Sequence, residues 1–225
     1  RDEIAFCGYH GWHDWFIATT DLNGGIPKFN NDLIHKFNYN DLESLEKIFK
    51  KRKNKIAAVM MEPLAVAEPK CYGSKNCKKK SCKIFCQNNF LYQVKKIAKK
   101  NGAVLIFDEV FTGWAKTGEL FYFLHHENLI PDILTFSKSF GGGKASISGY
   151  VVKDKFFAKS YDSLKDFNLH SSTYNGFGEE NITALEAVNI IVEEDYSNKA
   201  KIIGTKINSG LLKIKEKYPN IIKEI

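Results

Sequence analysis

The sequence predicts an α/β fold, a mostly parallel mixed sheet with helices on both faces, and three observations carry that reading. Two apolar runs, 104–107 and 133–136, show no polar alternation, as strands covered on both faces do. Each run stops abruptly at charged residues, Asp108-Glu109 after the first and Ser137-Lys138 after the second, with the glycines 141–143 close behind. Amphipathic helical patterns lie between the apolar runs, which is the alternation of a layered α/β sheet. In such sheets ligands bind at the carboxyl ends of the strands. If the two runs are neighbouring strands, Asp108 and Lys138 face one crevice, and an acid and an amine beside permissive glycines suit an anionic or aldehyde-bearing ligand.

Taken in order, residues 4–7 form the first strand candidate, ending at Gly8-Tyr9-His10-Gly11. Glycines flanking an aromatic and a histidine at a strand end read either as a ligand contact or as a tight turn whose aromatics fill core. Residues 19–38, rich in Gly and Asn with Pro27, read as an irregular loop. A helix is expected to start at Asn40, capped there and boxed by Glu43, with Leu42, Leu45, Ile48 and Phe49 on its apolar face. The run 55–61 is the next buried strand and ends at Glu62-Pro63. Glu62 is either a third charged group at the site edge or a cap. Residues 90–100 place Leu91, Val94, Ile97 and Ala98 at helical spacing and stop at Gly102. Residues 150–152 are a further strand, 170–176 a polar loop, and two helices follow, one carrying Ile182, Leu185, Val188, Ile191 and Val192 and one over about 199–218.

The formal charge of +7 comes mostly from lysines scattered along amphipathic helices, and no nucleic-acid motif accompanies it, so a solvated surface accounts for it. No apolar run is long enough to span a bilayer and the first residues are not a signal peptide, from which a cytoplasmic protein is expected. The chain opens without a methionine and stops inside a helical pattern, as a fragment of something longer would.

Cys71, Cys77, Cys82 and Cys86 sit in a lysine-rich stretch with five, four and three residues between them. Four thiolates can close a tetrahedral zinc site, although these are not the paired spacings of a zinc ribbon, and a surface insertion of reduced thiols is the alternative. A nucleotide-binding loop is disfavoured at GGGKAS. Lys138 stands where its first glycine is needed, and Ala145 where the hydroxyl residue should follow Lys144. A strand-end lysine can instead form a Schiff base with the aldehyde of pyridoxal phosphate (PLP), which needs a carboxylate for its pyridine nitrogen and a flat side chain against its ring. Lys138, Asp108 and Tyr9 meet that list.

With those residues in view, the chain resembles the class III, fold type I PLP-dependent aminotransferases, over FCGYHGWHDW, VMMEP, the FDEVFTG and TG segments, PDILTFSKSFGGG and HSSTYNG in that order. The first segment is similar to the glutamate-1-semialdehyde aminomutase branch, and HSSTYNG to the omega-aminotransferases. The resemblance implies that Lys138 carries PLP and shuttles the proton, that Asp108 pairs with the pyridine nitrogen, and that Tyr9 and Val110 pack on the two ring faces. It implies that Thr173 reaches the cofactor phosphate of a neighbouring subunit in a homodimer, and it places His10 and Glu62 at motif positions. It also implies a large domain over 1–195, interrupted by a cysteine-rich insert at 70–88, and a helix over 196–225 leading toward a smaller domain. The implied reaction moves an amino group between an amine or amino acid and a carbonyl acceptor. An aminomutase, or a non-catalytic subunit with this fold, are the alternatives. The sequence departs from the family at Ala115-Lys116, where arginine is usual, and at Lys144-Ala145-Ser146, where a proline is common.

Overall fold

The computed structural model describes residues 1–73, 86–161, 173, 178–223 and 225. A six-stranded sheet in the order β2-β1-β3-β4-β5-β6 forms its centre, with β1 at Glu3–Cys7, β2 at Ile34–Lys36, β3 at Ile56–Met61, β4 at Val104–Asp108, β5 at Ile133–Phe136 and β6 at Gly149–Val152. All neighbours are parallel except β5 and β6. Asp108 is the register partner of Thr135, so β4 and β5 end side by side as the sequence requires.

Strand side chains alternate between faces. One face sends Ala5, Cys7, Val59, Met61, Leu105 and Phe107 into the main core. There they meet α3 (Leu42–Lys51) through Leu45 and Phe49, and α4 (Phe90–Lys100) through Leu91, Val94 and Ala98. Phe6 leaves the opposite face and packs on Phe16 and Ile17 of α1 (Asp14–Ile17). Fully burying a side chain such as Phe107 or Leu105 stabilises the fold by about 1.5–3 kcal/mol, so this apolar alternation fixes the strand register.

Two expectations are corrected. The loop expected over 19–38 contains α2 (Phe29–Asp32) and the edge strand β2, whose Ile34 and His35 pair with Ile4 and Ala5 of β1. Three residues alternating apolar, polar and charged leave no apolar run to read, and only pairing with β1 makes them a strand. The helix cap is Asp41 rather than Asn40, and its carboxylate accepts from Ser44 N at 3.1 Å. Asn40 takes a left-handed backbone (φ 62°) and ties the chain further on, donating to Glu68 O at 2.9 Å and accepting from Lys70 N at 2.7 Å. Downstream lie α5 (Asp154–Tyr161), α6 (Gly178–Glu193) and α7 (Tyr196–Lys217). The bare backbone of Gly142 (φ 60°) lets α6 approach the turn after β5, where an added Cβ would stand 3.1 Å from Ala187 Cβ. No helix among the described residues is long and apolar enough to cross a membrane.

Candidate active site

The carboxyl ends of β1, β3, β4 and β5 bring together Tyr9, His10, Glu62, Asp108, Val110 and Lys138. The chain leaves β1 through Gly8 at φ 111°, a conformation reserved for glycine. A Cβ at that position would stand 2.6 Å from Glu62 Oε2, and Glu62 occupies that space because its Oε2 accepts from Tyr9 N at 3.0 Å. Glu62 therefore holds the GYHG turn, which joins the two readings the sequence offered: it lies at the site edge and it acts as a cap. Tyr9 presents an exposed ring, 55% accessible, against the edge of Phe16.

His10 is buried directly beneath. Its Nδ1 lies 2.7 Å from Asp108 Oδ2, its Nε2 lies 3.2 Å from Cys7 O, and its ring stacks on Trp15. The ring is thus held between two acceptors, the Cys7 carbonyl and the Asp108 carboxylate. The other carboxylate oxygen of Asp108 accepts from Val110 N at 3.0 Å. Asp108 is thus fixed in position, 6% accessible, with both oxygens engaged. Removing one partner of such a buried pair costs about 3–5 kcal/mol.

Glu109 points the other way, as strand alternation demands, and is fully buried. It accepts from Thr112 Oγ1 at 3.0 Å, Tyr122 N at 2.5 Å and Phe123 N at 2.9 Å. Burial pushes its carboxyl above the usual range, and those three donors offset part of the rise. Asp108 faces the crevice while Glu109 pins the loop beyond it.

Lys138 follows β5 in a left-handed conformation (φ 52°) that a non-glycine residue adopts only when its surroundings hold it there. Ser137 supplies one tether through Oγ, which donates to Ile147 O at 2.9 Å. The Lys138 side chain is exposed, and its Nζ lies 4.9 Å from the centre of the Phe111 ring. Val110 is half-buried, and Thr173 lies in an exposed turn.

Cys71 and Cys86 meet with their sulfurs 3.3 Å apart, whereas Cys77 and Cys82 lie outside the described residues. No group of three metal-ligating side chains occurs among the described residues, so the zinc expectation has no support there.

The whole arrangement lies within a match to the aminotransferase class III family model over residues 6–225. The chain belongs to the class III aminotransferase family. Its fold is also that of solved aminotransferases. The ornithine aminotransferase of Toxoplasma gondii ME49 superposes with a TM-score of 0.71 at 24% identity, over 91% of this chain and 44% of that one. A transaminase from the marine bacterium Virgibacillus gives 0.75 at 24% identity, over 96% and 48%. A taurine:2-oxoglutarate aminotransferase from Bifidobacterium kashiwanohense, solved with PLP and glutamate, gives 0.72 at 19% identity, over 96% and 50%. The chain spans about half the length of these structures or slightly less.

PLP is the cofactor of class III aminotransferases, and the donor set fits it. Asp108 offers a fixed carboxylate, Lys138 an exposed amine at the adjacent strand end, and Tyr9 an exposed aromatic face. The sequence identified these three residues but not the contact between His10 and Asp108, which spans 98 positions. Its one signal is a histidine between glycines at a strand end.

Proposed function

We propose that the full-length protein is a PLP-dependent aminotransferase that moves an amino group between an amine or amino acid and a carbonyl acceptor. The observation that carries this reading is Asp108, locked by His10 and by Val110 N–H at the end of the strand beside the one leading to Lys138. When bound, the cofactor supplies an electron sink for a carbanion at the amino carbon. Asp108 would hold the ring nitrogen, and His10 keeps that carboxylate from turning away. Lys138 would hold the cofactor through its carbonyl, and its amine would serve as the group that moves a proton at the substrate carbon. Glu62 fixes the turn that presents Tyr9 as a wall against the ring. Thr173, on its exposed turn, contributes a hydroxyl to the phosphate held by a second copy, which makes the working unit a homodimer.

Single-turnover spectroscopy of the full-length protein with PLP tests the reading. Adding an amino donor is expected to convert the bound cofactor from its aldehyde to its amine form, and a keto acid to reverse the change. Unchanged turnover in Lys138→Ala would overturn it.

A further inference from the structure

Ala115-Lys116 is where the sequence departs from the family's usual arginine, and Lys116 lies closer to an aromatic ring than the other lysines that sit over one among the described residues. The loop leading to it is held in a costly shape. Trp114 (φ 61°) and Ala115 (φ 68°) are consecutive non-glycine residues in the left-handed region. Gly113 before them has no room for a side chain, since a Cβ would stand 2.8 Å from Glu109 O and 3.0 Å from the Phe121 ring. Hydrogen bonds from Gly113 N to Glu109 O at 2.9 Å, Ala115 N to Leu120 O at 3.2 Å and Gly118 N to Ala115 O at 3.0 Å close the turn. The Trp114 indole stacks on Phe140, two residues after Lys138, with ring centres 5.0 Å apart. The stack ties the loop carrying Lys116 to the turn carrying Lys138.

Both ammonium groups converge on one ring. Lys116 Nζ lies 3.3 Å and Lys138 Nζ 4.9 Å from the centre of Phe111, a phenyl ring 53% accessible at the end of β4. Among the described residues neither lysine has an ion-pair partner, and the acids of this edge and loop have partners of their own: Asp108 with His10, Glu109 with its three donors, Glu62 with the Tyr9 amide and Glu119 with Lys201. A ring face attracts cations but carries no countercharge. Partial burial and the charge of Lys138 both push the Lys116 ammonium below its usual range, the direction that an unneutralised pair of like charges produces. With Lys138 taken up by the cofactor, Lys116 remains a cation over an apolar ring with no acid partner among the described residues, and an anion would supply one.

We propose that Lys116 is a substrate-specificity residue that binds a carboxylate of the amino donor or carbonyl acceptor, with the Phe111 ring as apolar floor beneath the substrate's carbon chain. The proposal rests on the aminotransferase reading and narrows its substrates to those carrying a carboxylate. A cofactor phosphate is the other oxyanion that could come here, but a phosphate site needs several convergent N–H donors. Phe111 offers an apolar ring instead. A lysine, as a point charge on a flexible stem, suits carboxylates on chains of differing length better than a fixed guanidinium fork does.

The test compares Lys116→Gln and Lys116→Arg with the natural full-length holoenzyme, using δ-aminovalerate and n-pentylamine, which differ only in the carboxylate. In Lys116→Gln, KM for δ-aminovalerate is expected to rise at least about tenfold more than KM for n-pentylamine, with Lys116→Arg recovering most of the difference. Calorimetry with glutarate needs no turnover, and its affinity is expected to fall about tenfold or more in Lys116→Gln. Equal changes for the two donors, or glutarate binding that is absent or indifferent to the substitution, would overturn the proposal. So would a loss confined to PLP affinity, measured by fluorescence titration of the apoprotein, since the phosphate would then be the ligand. Absent transamination in the natural enzyme would defeat the aminotransferase reading, and the glutarate arm would still decide the role of Lys116.

Discussion

The two edges of the sheet handle charge in opposite ways. At the amino edge, buried Glu3 meets Arg52 through both carboxylate oxygens and His35 at 2.7 Å. Asp132, just before β5, meets Lys153 at 3.0 Å and also accepts from Leu105 N at 3.1 Å. Each acid there has its base, and the result is a fastening between strands and the segments that follow them. At the carboxyl edge the exposed lysines 116 and 138 share a phenyl ring without an acid, and the backbone departs from common geometry at Gly8, Trp114, Ala115 and Lys138. Neutralised charge serves stability, whereas charge left without a counter-ion is what a binding edge retains.

Substitutions on the two edges should therefore separate activity from stability, and the largest separation is expected at Lys138. Lys138→Ala should lower turnover by at least about ten-thousandfold, because the group that both holds the cofactor and moves the proton is gone. Thermal unfolding should shift little, since the side chain is exposed. Asp108→Asn should affect both properties. Turnover is expected to fall by about a hundredfold or more, and stability by about 3 kcal/mol, as His10 loses its charged partner; denaturant unfolding beside steady-state kinetics checks this. Gly8→Ala forces a Cβ against Glu62 and a side chain into φ 111°, at an expected cost of about 1–3 kcal/mol, read by calorimetric unfolding.

The amino edge supplies the smallest effect and the clearest pH signature. Arg52 beside Glu3, aided by His35, holds its carboxyl down at about 2 against an ordinary 4.5, although burial alone would raise it. A depressed acid stabilises the fold at pH values above its unfolded pKa, and that contribution is lost as pH falls from about 4.5 toward about 2. Because Arg52 is partly exposed and solvent screens it, Glu3→Gln should cost only about 1–2 kcal/mol at neutral pH. The cost should vanish in acid, with turnover unaffected. A Glu3→Gln enzyme that loses turnover while staying folded would break the contrast between the edges.

Much of the fold was legible because it is local. Strands β1, β3, β4, β5 and β6 and the helices α3, α4, α6 and α7 are marked by apolar runs and helical spacing, and their bounds fall within a few residues of expectation. The edge strand β2 was not, because three residues with one apolar side chain take their identity from β1. At the site, Lys138, Asp108, Tyr9 and Glu62 were legible as strand-end residues, whose position follows from the run preceding each. The grip of His10 on Asp108 and the convergence of Lys116 on Phe111 depend on strand order and on loop backbone angles. Neither is written in the spacing of residues.

Borohydride reduction of the full-length protein with bound PLP, followed by peptide mass mapping, tests the central claim most directly. A phosphopyridoxyl adduct on Lys138 is the expected result. An adduct confined to another lysine, or none in folded protein supplied with PLP, would contradict the assignment of this edge as the catalytic one.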